Sequence, residues 1–391
     1  MRHYAYLIIG GGMAADAAVK GIRGIDEDWE ICVIGAETVP PYKRPPLTKQ
    51  LWKGKPVESI WLDTTEFNIT LELGRTVTGI DVPNNRVTDE EGNEYGFDKL
   101  LIATGGTPKR LPFDADGIIY YRTFDDYNEL RRLCDGGEHF VVIGGGFIGS
   151  EIAAALAMND RKATMIFPAD AIGAHIYPPD LARFVTDYYT ERGVTIRAGE
   201  TATDIQGTPG AYKIKTSSGA EIEADGIIVG IGITPNTALA EAAGLPIDNG
   251  IVVDTHLRAG FEHIFAAGDV ANFHDHALNQ RMRVEHEDNA VTMGKHAGQA
   301  MAGHLKPYTH QPYFYSDMFD LGYEAVGELD PRHEMFSDWK DPFKEGVVYY
   351  LSECRVRGVL LWNVWDKVPA ARELIAEPGP FTPADLKGCI S

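Results

Sequence analysis

Cysteine is scarce in this chain of 391 residues. Cys32, Cys134, Cys354 and Cys389 are all there is, and no two stand in C-x-x-C or in a metal-ligand spacing. Cys32 lies in the apolar run ICVIG, the setting of a buried, inert thiol. A redox-active dithiol is therefore not expected. Long apolar runs are missing too; GIIVGIGI is among the longest, so nothing reaches membrane-spanning length. The third shortage is positive charge. Lys and Arg number 36 against 57 Asp and Glu, a formal net charge of −21, and no basic run is long enough to track a phosphate backbone. That argues against nucleic acid as a partner, and any anionic ligand has to be met by local groups. MRHYAYLIIGGG has neither the apolar length nor the cleavage site of a signal peptide, so the expectation is a cytoplasmic protein without membrane association. His274 and His276 in NFHDHALNQ read as a solvated loop, and no metal is expected.

Glycine is abundant, at 42 residues, and two clusters of it carry information. AYLIIGGGMAADAAVKGI reads as a strand, a glycine turn and a small-residue helix, with Gly10, Gly12 and Ala15 in G-x-G-x-x-[GA]. A second strand, EICVIG, ends near Glu37, which is placed to accept hydrogen bonds from an adenosine ribose. HFVVIGGGFIGSEIAAALA repeats the pattern with Gly144, Gly146 and Gly149. Glycine permits the tight turn and the approach of backbone to a pyrophosphate, while the helix N-terminus adds free N–H groups and positive potential. One such pattern is weak, because glycines also precede helices for packing reasons. Two, each after its own strand, point to two dinucleotides. LLIATGG and GIIVGIGITPN are further strand–turn pairs, and HIFAAGDVANF sets Asp269 just past a strand, either as a ligand for a chain of hydroxyls or as a helix N-cap.

The stretch PPYKRPPLTK, residues 40–49, carries four prolines around Lys43, Arg44 and Lys49. Proline fixes φ and biases its predecessor towards extended geometry, so the segment reads as a rigid arm that is neither helix nor central strand.

Taken in order, IIGGGMAA, PPYKRPPLTK, LIATGGTP, GGGFIGSE, IGITPN and IFAAGDVA resemble the flavoprotein pyridine-nucleotide reductases. RPPLTK followed by LW, with HQPYFYSD, GYEAVG and VLLWNVWDKVPAARELI, is similar to the ferredoxin reductase and apoptosis-inducing-factor branch. The resemblance covers nearly the whole chain. It implies an α/β fold with two Rossmann-like dinucleotide-binding domains, glutathione-reductase-like, plus a C-terminal α/β domain. The implied division is FAD-binding over 1–110 and 243–308, NAD(H)-binding over 111–242, and the C-terminal domain over 309–391.

By the same resemblance Gly10, Gly12, Met13, Ala14, Glu37, Arg44, Val77, Arg122 and Asp269 hold FAD, with Arg44 at its pyrophosphate. Gly145, Gly146, Ile148 and Gly149 hold NAD(H), and Gly232 lets the nicotinamide end approach the backbone. Glu285, His286, Glu324 and Asn363 match positions around flavin or nicotinamide, Phe147 covers the flavin face until nicotinamide displaces it, and Tyr315 stands where a tryptophan often stacks. Lys49 lies beside the flavin N5 in the family and pairs with Glu151, an anion that keeps a buried lysine charged. Disulfide reductases of the superfamily carry cysteine near the flavin, and PPYKRPPLTK has none.

Two departures matter. The acidic residue for the second ribose falls on Ala169 in direct register, while a shift of one residue makes it Asp170. No arginine follows closely enough to hold a 2′-phosphate, which favours NADH over NADPH. The implied activity is transfer of hydride from NADH to FAD and of electrons to a ferredoxin or rubredoxin. Such a carrier would dock on a basic patch drawn from Lys53, Lys55, Arg355, Arg357 and Lys367. Two alternatives stay open: an apoptosis-inducing-factor-like NADH sensor that forms a stable FADH–NAD charge-transfer complex, and a quinone or monodehydroascorbate-type reductase. The expected state is a monomer or homodimer.

Overall fold

The computed structural model describes residues 2–113 and 115–390, which form two compact units. The first contains the segments up to Lys43, Val57–Thr107 and Thr234–Tyr313. Its apolar runs become strands because a parallel sheet buries both faces and so favours continuous apolar sequence. Ile31–Gly35 is buried throughout, as are the last four residues of Arg2–Ile9. The parallel order is Thr70–Leu73, Ile31–Gly35, Arg2–Ile9, Glu94–Ile102, Ile264–Ala266. Strand order reverses beside Arg2–Ile9, and the first glycine turn sits at that strand's carboxyl end, where open α/β sheets bind ligands.

Helix Met13–Arg23 follows the turn and lies directly on helix Glu287–Met301. Nothing larger than hydrogen fits between their backbones. A Cβ on Gly21 would stand 2.2 Å from the Lys295 carbonyl oxygen, one on Gly294 2.3 Å from that of Ala14, and one on Gly298 2.1 Å from that of Ala18.

The second unit contains Arg44–Pro56, Pro108–Ile233 and the segment from Phe314 onward. Its parallel sheet repeats the plan in the order Thr195–Ala198, Lys162–Phe167, His139–Ile143, Gly226–Val229, Ile119–Tyr120. An antiparallel meander, Ala202–Thr208, Ala211–Thr216 and Glu221–Ala224, contributes Tyr212, Ile214 and Ile222 to a core shared with Val141 and Ile166 of that sheet. The C-terminal third forms a five-stranded sheet ordered Tyr313–Met318, Leu321–Gly327, Arg355–Trp362, Glu345–Ser352, Glu334–Asp341. Trp362, Tyr323, Tyr349 and Tyr350 are fully buried in it, and helix Val368–Ala376 packs on it. The expected α/β class, two Rossmann-like sheets with a further C-terminal α/β part, is the observed architecture.

The proline arm corrects one expectation. It is not devoid of helix: Pro45–Thr48 and Gln50–Lys53 are short 3₁₀ helices. Prolines occupy the first positions of the former, where the missing N–H would have had no acceptor anyway and the fixed φ suits the helix. Lys49 is the joint between the two.

Gly298→Ala forces the paired helices apart and is expected to cost about 1–3 kcal/mol, the usual penalty for overpacking. The urea midpoint reads this directly, and an unchanged midpoint would contradict the backbone contact.

Candidate active site

The two glycine turns are built alike. Gly10 and Gly144 have φ of +118° and +126°, and a Cβ would lie 2.1 Å from the Ala103 oxygen in the first case and 2.3 Å from the Gly230 oxygen in the second. At the third motif position Gly149 passes so near Gly144 that a Cβ would meet its oxygen at 2.0 Å, whereas the first turn accepts the fully buried Ala15. The middle glycines face open space. A Cβ on Gly12 would have no neighbour within 4 Å, and one on Gly146 only the His175 Cε1, at 3.9 Å. Neither helix Met13–Arg23 nor Phe147–Met158 has a side-chain cap at its N-terminus. Unfilled space over uncapped N–H groups suits a pyrophosphate, so both turns fit a dinucleotide.

Backbone hydrogen bonds bring the two halves into register. Gly10 N–H donates to the Ile34 carbonyl (2.8 Å) and Gly144 N–H to that of Ile166 (2.9 Å). Gly74 N–H donates to the Glu37 carbonyl (3.0 Å) and Gly199 N–H to that of Ala169 (2.9 Å). Glu37 therefore corresponds to Ala169, and Thr38 to Asp170. Glu37 is half-buried and accepts from the Tyr42 hydroxyl at 2.7 Å; Ala169 and Asp170 are exposed.

Within the second unit the proline arm, the second glycine helix and the C-terminal sheet converge on one carboxylate. Glu151, 4% exposed, accepts from Lys49 Nζ on Oε1 at 2.6 Å, from Ser316 Oγ on the same oxygen at 2.6 Å, and from Thr48 Oγ1 on Oε2 at 2.5 Å. Lys49 is itself 6% exposed and has the Tyr315 ring centroid 5.0 Å from its ammonium. The expected Lys49–Glu151 pair is thus formed. Thr48 and Ser316 went unread because a hydroxyl beside a motif residue carries no periodic signal.

The other expected residues are placed as follows. Phe147 is half-buried at the start of its helix, edge-on to His175 (5.9 Å) and Phe314 (5.3 Å). Gly145 lies over Phe167, Ile148 is half-buried beside Gly230, and Gly232 is exposed with φ of +92°. Arg44 Nη1 donates to the Arg122 carbonyl at 3.0 Å. In the first unit Met13 and Ala14 open the helix, Val77 is half-buried in a hairpin strand, and Asp269 follows Ile264–Ala266 in a 3₁₀ turn. Glu285 pairs with Arg283 at 2.6 Å, and His286 is the N-cap of Glu287–Met301. Asn363 is taken up by its own sheet, accepting from Gly322 N–H and donating to the Lys344 carbonyl. Burial raises the Glu324 pKa, and its Oε2 has no partner, an acceptor that a ligand donor would satisfy.

The candidate docking cations are not side by side. Arg355 and Arg357 begin the strand that ends at Trp362, and Lys367 caps a helix beyond that end, so they are separated by on the order of 20 Å. Arg357 is also paired with Glu328 at 2.9 Å. Lys53 and Lys55 remain exposed.

A family model described as pyridine nucleotide-disulphide oxidoreductase matches residues 4–294. The chain belongs to that family. It is an NAD(P)H oxidoreductase, and a second model, for the C-terminal part of apoptosis-inducing factor, matches residues 297–339 and 331–377. Apoptosis-inducing factor 1, mitochondrial, from Dictyostelium discoideum is 34% identical, covering 96% of this chain and 79% of its own. Rubredoxin-NAD(+) reductase from Pseudomonas putida is 33% identical over 83% of this chain and 87% of its own. The crystal structure of a covalent putidaredoxin reductase–putidaredoxin complex matches with a TM-score of 0.90 and 29% identity, covering 98% of this chain and 95% of that one.

For a family named after disulphides, this reductase has unsuitable thiols. All four are free; Cys32 and Cys134 are buried, and burial pushes them up to about 12 and about 11. Native protein should therefore react with a maleimide at Cys354 and Cys389 alone, and labelling of all four without denaturant would refute this. Glu151→Leu should destabilise by about 3–5 kcal/mol, since it strands a buried ammonium, and a second change, Lys49→Met, should recover most of the loss. Equal stability of the single and double variants in urea titration would show that the pair is not desolvated.

Proposed function

We propose that this reductase takes electrons from NADH onto a bound FAD and passes them singly to a ferredoxin or rubredoxin. The observation that carries the reading is the buried Lys49–Glu151 pair, an ionic device in a family whose name implies thiols. FAD, when bound, supplies the conversion of a two-electron donor into one-electron steps. The protein's own residues hold, orient and charge the site. Gly10, Gly12, Met13, Ala14, Glu37, Val77 and Asp269 are the proposed FAD contacts of the first unit; Arg44 and Arg122 are those of the second. Gly145, Gly146, Ile148, Gly149 and Gly232 receive the nicotinamide nucleotide.

Lys49 acts as a fixed cation. Glu151 pairs with it, and Thr48 and Ser316 hold that carboxylate, so the ammonium is fixed in place. A preorganised positive charge stabilises the negative charge that reduction brings. Phe147 is the proposed cover of the site until nicotinamide arrives; Tyr315, Glu324 and Asn363 in the second unit, and Glu285 and His286 in the first, are further proposed ligand contacts. The same reading divides the chain into FAD-binding (1–110, 243–308), NAD(H)-binding (111–242) and C-terminal (309–391) domains. No helix of the described residues is long and apolar enough to cross a membrane, and four free thiols suit a reducing compartment, which supports a cytoplasmic location.

The match of residues 297–377 to the apoptosis-inducing-factor model favours a second reading, an NADH sensor with slow turnover. Anaerobic titration with NADH, followed by air and then by ferredoxin or rubredoxin, separates the two. Prompt bleaching of the flavin absorbance and prompt return with the carrier are expected, and a reduced complex that outlasts minutes in air supports the sensor. In Lys49→Ala the reductive step should slow by about 10²–10³-fold, the range for loss of a preorganised electrostatic donor. An unaltered rate removes Lys49 from the chemistry.

A further inference from the structure

We propose that Ala169 sets the nucleotide specificity of this reductase close to indifference: NADH and NADPH bind within about tenfold of each other, with NADH ahead. The inference rests on the second glycine turn being the pyridine-nucleotide site, as proposed above.

The hydrogen-bond register between the two halves makes the comparison internal to the molecule. Where the first half presents the Glu37 carboxylate, the second presents the Ala169 methyl. A carboxylate at this place does two things: it accepts from the ribose hydroxyls, and it repels a 2′-phosphate. A methyl group does neither. The Ala169 carbonyl, which accepts from Gly199 N–H at 2.9 Å, keeps a second lone pair but carries no net charge, so it cannot repel a 2′-phosphate as a carboxylate does.

The neighbours replace that charge only in part. Asp170, the counterpart of Thr38, is exposed; a Cβ on Gly74 would stand 3.4 Å from Thr38 Cγ2, whereas one on Gly199 would have no neighbour within 4 Å, so Asp170 is one position past the Glu37 place and is not held against the outer strand. The next corresponding pair is Arg75 and Glu200, whose N–H groups donate to the Gly35 and Phe167 carbonyls at 2.9 and 3.2 Å. Glu200 is turned aside: its Oε2 accepts from Ser218 Oγ at 2.9 Å, and Arg197 faces its other oxygen at 3.6 Å. No unpaired cation selects the phosphate by sequence proximity: the first basic side chain after Phe167 is His175, which stands beside the Gly146 turn. Arg197, on the strand paired with Lys162–Phe167, faces Glu200 at 3.6 Å, so the two charges at this strand end offset each other. With no carboxylate at position 169 and that guanidinium offset, the remaining bias comes from the overall charge of −21, which disfavours the extra phosphate.

The test combines dissociation constants of NAD⁺ and NADP⁺ from calorimetry with kcat/KM for NADH and NADPH. Wild type is compared with Ala169→Glu, Ala169→Arg and Asp170→Ala. Position 169 is exposed, so the substitutions do not load the core. The expected wild-type ratio is below about tenfold. Ala169→Glu should widen it by about 10–100-fold in favour of the unphosphorylated nucleotide, the worth of one charge-assisted contact, and Ala169→Arg should reverse it. Wild-type selection of NADH by a hundredfold or more overturns the proposal alone, as does a tenfold change of ratio in Asp170→Ala, which would assign the ribose to Asp170. Binding of neither nucleotide overturns the site assignment and the proposal with it.

Discussion

Removing a carboxylate and an ammonium from water costs several kcal/mol each, and the cost is offset only where geometry is good and the remaining lone pairs are used. Glu151, on the second glycine helix, meets that demand with donors from two other stretches: Thr48 and Lys49 from the proline arm and Ser316 from the C-terminal sheet. The arm has to be stiff because its lysine must arrive at one point. The first of its two 3₁₀ turns supplies that stiffness, with prolines at the helical positions that tolerate them. Much of the second unit's internal arrangement follows from keeping this one carboxylate satisfied.

The glycines impose a different constraint, contact between backbones. In both dinucleotide turns, and again between helices Met13–Arg23 and Glu287–Met301, main chains approach to distances at which a methyl group would overlap a carbonyl oxygen. The two halves share this scaffold down to individual hydrogen bonds while differing where a ligand would be read, Glu37 against Ala169. Scaffold and recognition are separable in the same fold.

This separation explains what was legible in the sequence. Glycine spacing after a strand encodes backbone geometry directly, so both turns could be read from it, while the Rossmann-like architecture came from the family resemblance. Lys49 and Glu151 are distant along the chain, and it was family resemblance, not spacing, that joined them. Thr48 and Ser316 share no pattern, because hydroxyls reach a buried carboxylate only through tertiary structure. The proline-rich arm misled because prolines exclude a helix interior but not its first turn.

The clamp on helix Met13–Arg23 bears on the order in which the molecule can be made. Its partner surface, Gly294 and Gly298 with Lys295 between them, lies nearly three hundred residues downstream. A chain emerging from the ribosome N-terminus first therefore presents its first glycine turn early, with the following helix uncovered on the face that Glu287–Met301 later occupies. The second glycine turn finds its parallel partner strand Gly226–Val229 much sooner. The nucleotide turn encoded first thus waits for a partner helix encoded far downstream, a pairing of large sequence separation.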